Sequence, residues 1–189
     1  MIDFSPLQKK EISFPRFSKQ YTKEDLADAT CEMMNYLLSR IKDLHDQAVT
    51  FQPLDPKADD PFAASQDDVG IAWTLAHVIV HITASMEESA ALAAELARGV
   101  EVQGRSRYET PWESVTTLVQ CQQRLLESQR MCLASLDMWP DEPHLDNEYS
   151  PWKGMGKIDA RGRYILGLQH SDDHFGQISD ILDQYNKGL

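Results

Sequence analysis

The stretch from Gly162 to Ile178, GRYILGLQHSDDHFGQI, constrains this chain more than any other part of it. Tyr164, Leu168, Ser171, Phe175 and Ile178 recur at three- and four-residue steps, the spacing of one face of an α-helix. His170 and His174 stand one turn apart on that helix, so their imidazoles point the same way. A second one-turn pair, His77 and His81, lies in the apolar run from Ala72 to Ile82. Four of the six histidines therefore form two such pairs, on two helices expected to be buried.

The remaining pattern is helical throughout. Residues 1–21 carry Pro6 and Pro15 without periodicity and read as an extended arm lying against, or loosely attached to, a body formed by residues 22–189. Thr22 followed by Glu24 and Asp25 starts a first helix, whose face from Leu26 through Met33, Leu37, Ile41 and Ala48 persists to about Val49. Three prolines between residues 51 and 64 mark a loop. Ser65 to Asp68 supplies a cap for a second helix running to about Arg98, with Gly99 beyond its end. Its first half is apolar nearly all round and its second half is rich in alanine, which permits close helix approach. Thr110-Pro111-Trp112-Glu113 has the form of a capping box and predicts the start of a third helix ending before Trp139-Pro140. A long loop with Trp139, Tyr149 and Trp152 follows. These rings either wall a pocket or anchor the loop to the body. Asp159 then caps a fourth helix to about Tyr185. Four amphipathic helices of some ~40–48 Å predict an all-α protein, an antiparallel four-helix bundle with a long loop before the last helix.

Composition excludes several functions. A formal charge of −12 and the lack of a Lys/Arg cluster argue against nucleic acid and against anionic membrane surfaces. No apolar run approaches the ~20 residues of a membrane span. Cys31, Cys121 and Cys132 are odd in number and contain no CxxC, so they read as small buried hydrophobes in a reducing cytoplasm. No secretory leader pattern is recognisable at the start.

Imidazole nitrogen ligates zinc, nickel, iron and copper, and neighbouring bundle helices lie ~8–10 Å apart, a gap that two inward histidines and one ion can bridge. A one-turn pair and a third imidazole from a facing helix would leave a coordination position open, as catalytic sites do. A di-iron carboxylate site is excluded by pattern: Thr74, Val78, Gly167 and Ser171 occupy the positions three residues before the paired histidines, where such a site needs Glu. There is no phosphate loop and no nucleophile elbow. His45 and His144 stand alone and read as surface residues.

These residues resemble the DinB-like superfamily of metal-dependent four-helix bundles, which includes maleylpyruvate isomerase-like proteins. The resemblance is carried by Trp73, by His81 eight residues later, and by the His170/His174 pair followed by Gly176, Gln177 and Ile178. It implies an open site of His81, His170 and His174 holding Ni(II) or Zn(II). It also implies a thiol-dependent transferase or isomerase, or a hydrolase, with a small-molecule substrate and a low-molecular-weight thiol as partner. A non-catalytic, stress-associated metal or ligand binder on the same scaffold is the alternative. His77 lies outside the family pattern and is a core residue, a supporting donor or a fourth ligand. Gln177 is placed to orient a ligand or water, or is simply a polar residue on a partly exposed face. Asp172 and Asp173 are candidates to accept imidazole N–H groups, or are solvated. The alanine-rich half of the second helix leads us to expect a homodimer.

Overall fold

The computed structural model of the protein describes residues 1–59, 69–102, 104 and 110–188. Among them there are helices and one isolated bridge, Tyr149 with Ile158, but no strand. None of the helices is long and apolar enough to cross a membrane. The N-terminal segment is not extended: α1 (Ser5–Gln8) and α2 (Phe14–Ser18) are short helices, and Phe4 and Phe17 are buried with their rings 5.9 Å apart. Two buried aromatics give this segment the apolar anchor that its irregular pattern conceals.

The bundle consists of α3 (Lys23–Ile41), α5 (Leu75–Ala97), α6 (Leu118–Asp137) and the pair α7 (Ala160–Asp173) and α8 (Phe175–Lys187). Its most buried member is α5, against which both α6 and α7 pack, while α3 contacts α6 and α7 from the opposite corner. The helices α5 and α7 run antiparallel, since His81 meets His170 while Ser89, farther along α5, meets Arg163 and Gly167, earlier on α7. Antiparallel, too, are α3 and α6, as Asp46 just beyond α3 accepts from the Leu118 N–H that opens α6. Neighbours α5 and α6 run the same way. Trp112 before α6 stacks on His77 in the first turn of α5, and the His144 N–H after α6 donates to Ala97 O in its last turn. Both features are tertiary, and no sequence signal anticipated this pairing.

Four expected boundaries move. The first helix does not reach Val49: it stops at Ile41, and a separate turn, α4 (Asp46–Val49), begins after extended His45. That break lets Asp46 reach the start of α6 while Ala48 and Val49 return to the core. The second helix begins at Leu75, where the Thr74 side chain accepts from His77 N–H; the proposed cap at Ser65 to Asp68 lies outside the described residues. Thr110 does not cap the third helix. Trp112–Ser114 is an isolated 3-10 turn, Val115 is extended and buried, and Thr117 with Gln120 forms the capping box that opens α6. Both Thr110-x-x-Glu113 and Thr117-x-x-Gln120 fit the motif, and burial of Val115 between them selects the second. The fourth helix starts at Asp159 as expected but breaks at His174, where the N–H turns back to Ser171 O. Phe175, next in the chain, packs its ring 4.7 Å from that of Tyr36 and draws α8 toward α3.

The long loop is anchored to the body. Trp139 is buried, Asn147 donates to Leu96 O and Val100 O, and Tyr149 exchanges both backbone bonds with Ile158. Trp152 is exposed, and none of the three loop aromatics lines the pocket described below. His45 and His144 are exposed, as their isolation in the sequence suggests.

Candidate metal centre

Three elements supply the three imidazoles. His81 is in the second turn of α5, His170 is in the last turn of α7, and His174 occupies the break between α7 and α8. The nitrogens of His81, His170 and His174 that offer lone pairs lie within 4.8 Å of one another. His81 Nε2 and His170 Nε2 are 2.7 Å apart, and the ring centroids of the three residues are separated by 4.8 to 5.2 Å. The two one-turn pairs of the sequence thus contribute unequally: His170 and His174 both converge, with His81 alone of the other pair.

Gly167 makes that convergence possible. A Cβ on it would stand 2.6 Å from Ser89 Cβ and 3.1 Å from the Met86 Cα, so α7 approaches α5 as closely as backbone allows, one turn from His170.

The ring of His174 is oriented by Gln177, whose Oε1 lies 2.7 Å from Nδ1. An amide oxygen only accepts, so Nδ1 carries the proton and Nε2 retains its lone pair. Burial holds the His174 imidazole below its ordinary pKa; the Gln177 bond opposes that shift and neighbouring His81 adds to it. A neutral ring is the form that binds a metal. Between His81 and His170 the short N···N contact can hold one proton, and an ion bound through both Nε2 atoms requires that proton to leave the contact, as by a tautomeric shift to Nδ1 of its own ring.

His77 stands apart from the converging group. Its ring lies between two indoles, 4.2 Å from Trp73 and 4.9 Å from Trp112. Asp173 is exposed and Asp172 is half-buried, and neither carboxylate hydrogen-bonds a site imidazole. The charge of Asp173 favours the protonated His174 ring, against the larger effect of burial.

A pocket of about 740 Å³ opens onto the three imidazoles. Trp73, Ile71 and Ile181 give it apolar walls; Lys57, Asp59 and Asp180 place charge around it. Residues 53–59 of the proline-marked loop form one side, held there by a two-way clamp in which Leu54 N–H donates to Gln184 Oε1 and Gln184 Nε2 donates to Leu54 O. Sequence reading identified this segment only as a loop, and no local pattern marks it as a pocket wall.

An all-helical bundle with an open three-imidazole cluster at one end belongs to a recognisable class, that of histidine-centred helical bundles. The family model of the DinB superfamily matches residues 30–178, and the chain belongs to that superfamily. No curated protein and no solved structure matches it.

Proposed function

We propose that the protein is a metal-dependent enzyme in which His81, His170 and His174 hold a divalent ion, Ni(II) or Zn(II), with a coordination position open to the pocket. The carrying observation is the convergence of three imidazoles, within 4.8 Å of one another, at a pocket of about 740 Å³. The donor set fits such an ion: the ligands are all nitrogen, Gln177 holds one ring in its binding tautomer, and among the described residues no cysteine joins the group. When bound, the ion would act as a Lewis acid on a small substrate or lower the pKa of a coordinated thiol. The chain's own residues align the ligands through Gln177, shape an apolar enclosure with Trp73 and Ile181, and set charge at Lys57 and Asp180 to orient an incoming molecule. The reaction class favoured by family membership is group transfer or isomerisation with a low-molecular-weight thiol, or hydrolysis, in the cytoplasm.

Elemental analysis of the purified full-length protein tests the reading. About one equivalent of Ni or Zn is expected in the wild type, and most of it is lost in His170→Ala. A wild type free of both metals after growth in supplemented medium, or full occupancy in His170→Ala, would overturn it.

A further inference from the structure

Trp112 does not line the pocket, yet an unbroken series of ring faces joins it to the imidazole cluster. Its indole lies parallel to the His77 ring, within 6° at 4.9 Å. His77 lies on Trp73 at 4.2 Å and 21°, and Trp73 lies on His174 at 5.8 Å and 14°. Trp73 also meets His81, with the ring planes tilted 59° and the centroids 4.7 Å apart.

We infer that Trp112 and His77 are positioning residues for the imidazole cluster, acting through Trp73 to fix the ring planes of His174 and His81. The inference rests on the metal-centre reading above. An imidazole turns about its Cβ–Cγ bond in a broad, shallow well, so a ligand ring needs outside contacts to hold its plane. Gln177 grips one edge of His174, which fixes the direction of that edge but leaves rocking about the hydrogen bond. A flat group on the ring face opposes that motion, and Trp73 supplies it.

Trp73 lies just before α5, outside the helical ladder, so its own plane depends on what stands behind it. His77, fixed to the first turn of α5, is that backing, and Trp112 closes the stack on the far side. Pairs of rings at such separations attract one another. Trp73, His77 and Trp112 are all only partly buried, so the stack sits on the rim of the bundle and contributes little to its core. The 3-10 turn that ends the crossover between α5 and α6 is thereby coupled to a site whose ligands all come from other elements.

Co(II) titration of the full-length apoprotein, read by visible absorption and chelator competition, tests this. Trp112→Leu keeps apolar bulk but removes the flat face; it is expected to weaken Co(II) binding about tenfold and to shift the ligand-field bands, with far-UV circular dichroism unchanged. Trp112→Phe, which keeps a flat ring, and His77→Phe, which keeps the middle of the stack, are expected to restore wild-type affinity and spectrum. Wild-type binding and bands in Trp112→Leu would overturn the inference, as would loss of Co(II) from His77→Phe, which would make His77 a ligand. Should Trp112→Leu fail to fold, His77→Leu is read against His77→Phe by the same criteria. A wild type that binds no Co(II) defeats the metal reading itself, a result separate from any difference among the variants.

Discussion

Gly167 and Ser89 face each other so closely that a Cβ on the glycine would lie 2.6 Å from that of the serine. The contact is one turn from His170 and about two turns from His81, the residues whose nitrogens meet at 2.7 Å. The separation of α5 and α7 is therefore fixed beside the site by the absence of one methyl group. Gly167→Ala is expected to force the helices apart, destabilising the fold by about 1–3 kcal/mol and reducing metal uptake. Urea denaturation gives the first effect and metal analysis the second. An unchanged midpoint would show that the backbone at Met86 yields without cost.

Gln177 offers a finer probe, because it touches His174 without belonging to the ligand set. Gln177→Leu keeps the approximate size but leaves the Nδ1–H without its acceptor, and a loss of 10- to 100-fold in metal affinity is expected, at the order of magnitude usual for such supporting partners. Gln177→Glu, which still accepts, is expected to bind at least as tightly. Equal affinities in all three proteins would remove Gln177 from the site.

The cysteines should divide by burial. Burial, first, and then the charge of Asp46 push the Cys121 thiol up to about 12; burial followed by Glu87 does the same for Cys132. In the native protein at pH 8, a thiol reagent is expected to label Cys31, which is only half-buried, well before the other two. All three should react in denaturant. The linked pH effect has a definite sign: above pH 9 the unfolded chain loses thiol protons that the folded chain retains, so stability falls as pH rises from there. Stability that increases over that range would contradict the buried, protonated assignment.

The two rival capping motifs before α6 can be separated by stability alone. Thr117 accepts from Gln120 N–H, and Gln120 Oε1 accepts in return from Thr117 N–H. Thr117→Ala is expected to cost about 1 kcal/mol. Thr110→Ala is expected to change stability by no more than about 0.5 kcal/mol. The reverse order, measured by thermal or urea unfolding, would restore the helix start at Thr110.

The sequence by itself determined the all-helical class and the burial of α5, and narrowed the imidazole cluster to two one-turn histidine pairs. Each of these is written in local periodicity, as apolar residues at helical steps and histidines one turn apart, whereas the set His81, His170 and His174 was implied only by the family resemblance that Trp73 and His81 help to carry. The sequence also singled out Gln177, about one turn after His174, as placed to orient a ligand or water; that its Oε1 meets the His174 ring is a finding of the structure. Periodicity alone could not distinguish His77 from His81, because both lie on the same apolar stretch of α5. Only the tertiary structure decided between them, by turning one toward His170 and closing the other between Trp73 and Trp112. The break at His174, the parallel course of α5 and α6, and the pocket wall contributed by the proline-marked loop have the same origin. They depend on contacts between residues far apart in the chain, such as Phe175 with Tyr36 and Leu54 with Gln184. Helical periodicity shows which face a residue occupies, whereas the neighbour that face meets is settled by packing among elements that are not adjacent in sequence.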